Sequence, residues 1–179
     1  MSFGITGSTN APIPAVINNC NAYLEGNKLL GMADLVMPNI EFMVSELAGA
    51  GITGAVEVPV EGHVRPMTAT VNFKVPSAQQ FQMTGYLASG ITFRAAVQIY
   101  DAGTGGPITV QFSCLMRGKA KVLNLGTLKP GEQAGGSNDV AVNYLKVFLN
   151  GVEMCEIDPM NGVCRIYGVD HLAAINAAI

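Results

Sequence analysis

The chain has 179 residues, of which 49% are hydrophobic and only 13% are charged, and its net charge is −3. This length predicts one domain, residues 1–179, while the longest apolar run, residues 11–17, is far shorter than the roughly 20 residues of a membrane span. We therefore expect no membrane insertion, and we infer that the excess apolar surface is buried against other copies or partners, as in obligate assemblies.

The charged residues are divided unevenly along the chain. Residues 1–61 hold six acids and one base, residues 62–129 hold seven bases and one acid, and residues 130–179 hold six acids and two bases. Two interpretations stay open. Either folding intermixes these blocks in space, or the subunit has surfaces of opposite sign that dock one copy on another.

The first half of the chain predicts an arm followed by strands. Residues 1–19 are rich in Gly, Pro, Ser, Thr and Asn, which indicates a flexible or partner-ordered N-terminal arm. A short hairpin is predicted around residues 25–27. Apolar and polar residues then alternate over residues 55–61 and 67–75, the pattern of strands with one dry and one wet face.

A single central helix is predicted after these strands. Ser77 can cap its first turn, with Gln80 three residues later as in a capping box. Gly90 provides its C-terminal stop. The residues that fall on one face of this helix are Ala78, Phe81, Gly85 and Ala88.

The second half predicts a long hairpin unit. Alternating stretches at residues 108–122 and 140–149 flank a Gly/Pro-rich loop at residues 126–139, and a third strand, 152–157, follows across Asn150-Gly151. Asn-Gly favours a type I′ turn because both central residues need a positive φ. We expect the loop to be mobile in the isolated subunit.

The predicted fold class is mainly β with one α-helix, in a β-sandwich or barrel. The elements amount to roughly eight strands, and the Ala-rich tail, residues 171–179, predicts a further short helix. The four cysteines lack CxxC spacing and are predicted to be reduced, buried apolar residues.

The residues that could carry chemistry do not form a recognisable site. The string Gly49-Ala-Gly-Ile-Thr-Gly54 matches G-x-G-x-x-G, but dinucleotide binding needs a buried strand before it, a helix after it and an acid about 20 residues further on. His63 and His171 lie in no catalytic signature. We predict no catalytic residue, no cofactor and no metal, and we expect that the protein is not an enzyme.

Two clusters of charged residues are candidates for binding sites. The acids Glu153, Glu156 and Asp158 lack calcium-loop spacing. Bases at residues 117, 119 and 121 form a stripe on one strand face without interleaved aromatic residues, which argues against base stacking. A solvated or subunit-docking face is the better interpretation of this stripe.

Several segments, in this order and spacing, resemble the major tail tube protein family of contractile-tailed phages over residues 18–170. They are Asn21-Ala-Tyr-Leu-Glu-Gly, Met37-Pro38, the residue 49–54 loop, Met116-Arg-Gly-Lys-Ala-Lys, residues 126–132, Tyr144-Leu-Lys-Val-Phe-Leu-Asn-Gly, Glu156-Ile-Asp158 and Gly168-Val-Asp170. The long N-terminal arm and the low charge depart from the family pattern, which puts contacts of the arm in doubt.

The resemblance implies a structural protein of the virion tail, assembled in the cytoplasm of the host bacterium. Such subunits form hexameric rings whose sheets join into a continuous barrel, and the rings stack into a tube. The implied partners are other copies, the sheath protein, baseplate and tail-terminator proteins, the tape-measure protein in the lumen, and DNA in transient, non-specific passage. The alternative is the tube of a headless contractile injection device, such as a tail-like bacteriocin or a secretion system.

The resemblance and the strand pattern together suggest two sets of assembly residues. Glu57, Glu61, Thr68, Thr70 and Asn72 are expected to face the lumen, although they could equally face solvent on an outer sheet. The residues expected to contact the next ring are Gly49, Ala50, Gly51, Ile52, Thr53, Gly54, Lys129, Pro130, Gly131, Glu132, Asn138 and Asp139.

Overall fold

The computed structural model of the protein describes residues 13–25, 28–29, 33–49, 51, 53–85, 89–101 and 103–178. Within this part of the chain the fold is mainly β, with two short helices, so the predicted fold class is confirmed.

The strands, in chain order, are β1 (Ile13–Leu24), β2 (Lys28–Leu29), β3 (Ala33–Val36), β4 (Phe42–Leu47), β5 (Val56–Val64), β6 (Met67–Phe73), β7 (Ser89–Tyr100), β8 (Pro107–Asn124), β9 (Gly136–Leu149), β10 (Val152–Asp158), β11 (Val163–Ile166) and β12 (Val169–Asp170). The helices are α1 (Ala78–Thr84) and α2 (Ala173–Ala178).

Ten of these strands form one antiparallel sheet that branches at β9. The main path runs β12-β11-β10-β9-β8-β7-β1-β2. One edge of β9 pairs with β8 throughout, whereas the other edge pairs with β6 in its first half and with β10 in its second half. Strand β3 continues the branch beyond β6. Strands β4 and β5 form a separate two-stranded sheet, and neither sheet is closed.

A β-bulge at Asn143 keeps one face of β9 buried along its length. The register between β8 and β9 shifts at this point. Val140 and Val142 are buried before the shift and Leu145 after it, so the interval between buried residues changes from two to three. Since successive side chains of a strand point to opposite faces, the extra residue returns Leu145 to the core side.

The buried side chains of both branches and of α1 form one hydrophobic core. Its largest apolar members are Met83, Ile91, Met116, Leu145 and Ile157. Burying a side chain of this size stabilises the fold by roughly 1.5–3 kcal/mol each, so this cluster is the main source of subunit stability.

Helix α1 begins as predicted but ends earlier and turns a different face inward. The Ser77 hydroxyl accepts a hydrogen bond from the Gln80 N–H at 3.3 Å, which confirms the N-cap. The helix ends at Thr84, before the predicted stop at Gly90, which already belongs to β7. Its buried residues are Gln80 and Met83, while Phe81 is half exposed. The face with Ala78, Phe81, Gly85 and Ala88 is therefore not the buried one, and Ala88 lies outside the described residues.

The structure also tests the predicted turn, the tail helix and the N-terminal arm. Asn150 and Gly151 have φ values of 51° and 76°, which confirms the tight turn between β9 and β10. The tail helix is confirmed as α2. The predicted N-terminal arm, residues 1–19, is too long, because residues 13–19 are part of β1, which pairs with β7. Residues 1–12 lie outside the described part.

The cysteines lead to a first prediction. Cys114, Cys155 and Cys164 are buried and Cys20 is half-buried, all as free thiols. Burial, together with a neighbouring thiol, raises the pKa of Cys114 to about 12 and that of Cys155 to about 11. At about pH 8 a maleimide should therefore label only Cys20 in the folded protein. Mass spectrometry before and after denaturation measures this, and two or more labels on the folded chain would contradict it.

The same buried thiols make the stability of the fold depend on pH in the alkaline range. Above the ordinary thiol pKa of 9.0 the unfolded chain loses these protons while the native chain keeps them. The free energy of unfolding should therefore decrease as pH rises from about 9 towards 11.

Candidate functional site

Strands β4 and β5, with the connecting residues 48–55, form a hairpin that we call the hairpin arm. Leu47 pairs with Val56 and Ser45 with Val58, so these four side chains lie on one face. Leu47, Val56 and Val58 are exposed. A two-stranded hairpin without a packed face is at best marginally stable in water. The apolar face of the hairpin arm therefore requires a cover.

The opposite face of the hairpin arm is acidic. Glu46 lies directly opposite Glu57 in the register, and both are exposed. Like charges in this position destabilise a strand pair. Among the described residues neither carboxylate has a basic partner within ion-pair distance. Within the described ranges this charge is therefore uncompensated.

The described residues of the glycine string, Gly49, Gly51, Thr53 and Gly54, lie at the tip of the hairpin arm. The string joins two antiparallel strands, a different context from the strand–loop–helix of a dinucleotide site. Gly51 and Gly54 have φ values of 98° and 119°, and a Cβ at either would meet no atom within 4 Å. These glycines serve the turn itself. Ala50 and Ile52 lie outside the described residues.

The loop between β8 and β9, residues 125–135, is better anchored than predicted. The Thr127 N–H donates to the Ala134 carbonyl at 2.8 Å, and the Ala134 N–H donates to the Lys74 carbonyl at 3.0 Å. Lys129 and Glu132 form an exposed ion pair at 3.4 Å. Ala134 is buried. The base of the loop is therefore bonded to the sheet, while Lys129, Pro130, Gly131 and Glu132 lie on the surface. Mobility of the loop in the isolated subunit stays a prediction.

Asn138 is not a surface residue, which corrects its assignment to ring contacts. It is fully buried, and its amide donates to the Gln80 carbonyl at 2.9 Å and to the Thr84 hydroxyl at 3.2 Å. Its side-chain oxygen accepts from Gln80 Nε2 at 3.1 Å. The predicted loop extended to Asp139, but β9 already begins at Gly136, and so Asn138 points into the core side of a strand.

The proposed lumen residues lie on two different sheets. Thr68, Thr70 and Asn72 alternate with buried residues of β6 and share one half-exposed face, which we call the polar face. Glu57 and Glu61 belong to β5 of the hairpin arm, which does not pair with β6. The five side chains therefore do not form one surface within the subunit.

The polar face continues across β9 and β8. The Thr70 hydroxyl donates to Asp139 at 2.7 Å, and Lys121 donates to the Thr68 hydroxyl at 2.8 Å. Asp139, predicted at a ring contact, is thus held on the polar face beside Thr70. Acid, base and hydroxyl groups alternate here, so the face is hydrophilic without a strong net charge.

Two arginines of the basic block stack on tyrosines from neighbouring strands. The Arg117 guanidinium lies 4.6 Å from the centre of the Tyr144 ring, and Arg94 lies 5.3 Å from that of Tyr23. Neither arginine has a carboxylate within ion-pair distance in the described part of the chain. The sequence showed no aromatic residue interleaved with the stripe, since these rings arrive across the register and not along the strand.

The acidic group near β10 is neutralised by bases of the same sheet. Lys146 bonds Glu153 at 2.8 Å and Glu156 at 3.3 Å, and Arg165 also reaches Glu156 at 3.3 Å. Its burial raises the pKa of Glu156, but hydrogen bonds from Tyr144 and Lys146 outweigh this and leave the pKa lowered. The group is an internal ion-pair network of the sheet. No group of three metal-binding side chains occurs among the described residues.

Comparison with known proteins identifies the family of this chain. The model of one family, phage tail tube protein FII, matches residues 14–179. The chain belongs to this phage tail tube family. It is also 27% identical over 165 residues to the tail tube protein of Escherichia phage P2, which covers 89% of this chain and 94% of that protein.

Membership in the phage tail tube family accounts for the surfaces described above. The protein is a structural tail tube protein of the contractile-tailed phage type, a component of the virion tail. A tube protein assembles with itself and with other tail proteins, so open sheet edges and an uncovered apolar hairpin face are expected of its free subunit. No helix within the described ranges is long and apolar enough to cross a membrane.

Proposed function

We propose that this chain is the subunit of the inner tube of a contractile phage tail, in which copies form hexameric rings that stack and conduct DNA. The observation that carries the proposal is the hairpin arm, whose apolar face has no cover among the residues that the structure describes. The sheath protein surrounds the tube, baseplate and terminator proteins end it, and the tape-measure protein occupies its lumen during assembly in the host cytoplasm.

Open strand edges support ring formation through a shared sheet. On the β7 side, β8 is paired with β7 only as far as Gly118, so residues 120–123 have no β7 partner within the described part of the chain. Strand β3 also has no partner there beyond β6. Exposed edges of this kind favour pairing with another chain. Neighbouring copies that fill them would extend the sheet around a ring.

We base the proposed contacts between rings on the exposed turns of the subunit. The tip of the hairpin arm, Gly49 to Gly54, and the exposed turn with Lys129, Pro130, Gly131 and Glu132 are the candidates. Asn138 is removed from this set because its side chain is fully used inside the subunit.

The polar face is proposed to line the lumen. Thr68, Thr70 and Asn72, with Asp139, present hydroxyl, amide and carboxylate groups. Tight DNA binding requires that basic groups neutralise phosphates, so a mixed face of this kind would let DNA slide. Glu57 and Glu61 are assigned to the hairpin arm instead.

Electron microscopy of the purified protein tests the proposal. Hexameric rings or hollow tubes are the expected result, with analytical ultracentrifugation to follow assembly over a range of concentrations. A protein that stays monomeric at every concentration and salt, and that forms no tube with its tail partners, would contradict it.

Salt dependence is a separate prediction. If surfaces of opposite sign stack the rings, tube assembly should weaken as the sodium chloride concentration is raised from about 0.1 M to 1 M. Over this range the Debye length, the distance over which charges act on each other, falls from about 10 Å to 3 Å. The concentration at half assembly, from sedimentation velocity, measures this. Assembly that does not respond to salt would mean that complementary charge does not hold the rings together.

A further inference from the structure

The hairpin arm is interrupted by a bulge near its base. Phe42 pairs with Val64, but the next pair along the ladder is Val44 with Pro59. Between these two pairs β4 has one residue, whereas β5 has four, residues 60–63. Extra residues on one strand break the ladder locally and bend that strand. The bulge therefore separates the base of the arm from its projecting part.

The two sides of the bulge are held differently. At the base, Phe42 and Val64 pack against the core, and the Arg65 N–H donates to the Glu41 carbonyl at 2.7 Å. Within the described part of the chain, no hydrogen bond or ion pair links residues 43–63 to the ten-stranded sheet. The direction of the projecting part therefore depends on what packs at the bulge.

Leu172 packs directly on the glycine of this bulge. Gly62 has a φ of 72°, and a Cβ at this position would overlap Cγ and Cδ2 of Leu172. The leucine side chain thus occupies the place that a side chain at residue 62 would need. Leu172 is buried and belongs to the hydrophobic core. A glycine in a bulge can change its backbone angles at little cost, and the close-packed leucine opposes this change.

The C-terminal segment, residues 171–178, holds Leu172 on the ten-stranded sheet. The His171 N–H donates to the Cys164 carbonyl of β11 at 2.9 Å, and the Leu172 N–H donates to Asp170 Oδ1 at 3.0 Å. Strand β5 also contacts β11. Leu172 is therefore fixed to the sheet on one side and contacts the bulge of the arm on the other.

We propose that Leu172 is a positioning residue for assembly, which packs into the bulge at Gly62 and holds the hairpin arm in the direction that its contacts with other copies require. This inference rests on the proposed tube function, because it takes the arm as the element that joins copies. An arm that is already oriented loses less conformational freedom when it binds, so a held arm lowers the concentration at which subunits assemble.

The distance between the arm and the sheet tests this role in the free subunit. Thr53→Cys at the tip and Gln111→Cys on β8 place spin labels at two exposed positions, in a Cys20→Ser background. Pulsed electron paramagnetic resonance below the assembly concentration gives the distance distribution. Leu172→Ala should broaden this distribution at least about twofold, because Gly62 then acts as a hinge. Leu172→Met nearly conserves the volume and should keep the distribution narrow.

Two controls separate positioning from a general loss of stability. Met83→Ala truncates a buried residue of α1, a helix that packs on β8 and β9, and should lower the melting temperature while the distribution stays narrow. Ile175→Ala truncates an exposed residue of the same C-terminal segment and should change neither quantity. Thermal unfolding checks every variant, and Gly62→Ala provides the distance measurement if Leu172→Ala does not fold.

Assembly gives a second readout of the same contact. Leu172→Ala and Gly62→Ala should each raise the concentration at half assembly by at least about tenfold, because either change removes the packed bulge. The double variant should exceed the worse single variant by no more than about threefold, whereas independent effects would multiply to about a hundredfold. Sedimentation velocity measures all three.

The outcomes separate the two proposals. A distribution that stays narrow in Leu172→Ala, effects of the two substitutions that multiply, or a loosened arm with unchanged assembly overturns the positioning role and leaves the tube function intact. If the unaltered protein forms no rings or tubes, the tube function fails, and the spin-label distances alone then decide whether Leu172 holds the arm.

Discussion

Gly118→Ala is expected to lower the free energy of unfolding by about 3 kcal/mol, the upper range for overpacking of a well-packed interior. Gly118 lies in β8 between β7 and β9. A Cβ there would overlap the Ala141 carbonyl oxygen and approach Val140 Cγ1 to 2.9 Å. Because the obstacle is backbone held in the sheet on both sides, the strands themselves must separate. Urea unfolding measures the loss.

Gly90→Ala is the matched control for Gly118→Ala. Gly90 is also a strand glycine, in β7, but a Cβ there would have no heavy atom within 4 Å. Its effect should stay within about 0.5 kcal/mol. Equal losses in both variants would show that close approach of β9 is not the reason for glycine at residue 118.

Asn138→Ala is expected to cost about 3 kcal/mol of subunit stability. The change removes two donated hydrogen bonds and one accepted bond, although Gln80 Nε2 keeps its bond to the Asn124 carbonyl and the Gln80 carbonyl keeps its bond from the Thr84 hydroxyl. Three buried hydrogen bonds at about 1 kcal/mol each account for the loss. The helix should detach from β9 first, which hydrogen exchange of residues 78–84 would report. Thermal unfolding of the monomer gives the overall loss.

The same variant distinguishes the structural role of Asn138 from a role in ring contacts. Ser137→Ala, at the half-exposed neighbour on the opposite face of β9, is the control and should change stability by no more than about 0.5 kcal/mol. An Asn138→Ala protein with unchanged unfolding but lost assembly would restore the ring-contact interpretation.

Features set by neighbouring residues were predictable. The Asn150-Gly151 turn and the Ser77 cap each depend on groups within four positions of one another, and both appear in the structure. The alternation of β6 also predicted its buried face correctly, from Met67 to Phe73. The family resemblance, read from the order of short segments, is confirmed by the family match.

Features set by pairing partners were not predictable. The helix was oriented by its apolar residues, yet Asn138 of β9 draws Gln80 inward and leaves Phe81 outside. The stacking of Arg117 on Tyr144 depends on the register of two strands far apart in sequence. Neither contact has a local signal that could have revealed it.

The sequence by itself determined most of the secondary elements, the wet and dry faces of β6 and the family, because these depend on side-chain chemistry at short spacing. Only the tertiary structure decided that Glu57 and Thr68 belong to different sheets, that Asn138 is interior and that no described residue covers the apolar face of the hairpin arm. Pairing registers and a bulge at one residue decide which face of a strand meets the core, and a shift of one position reverses that choice.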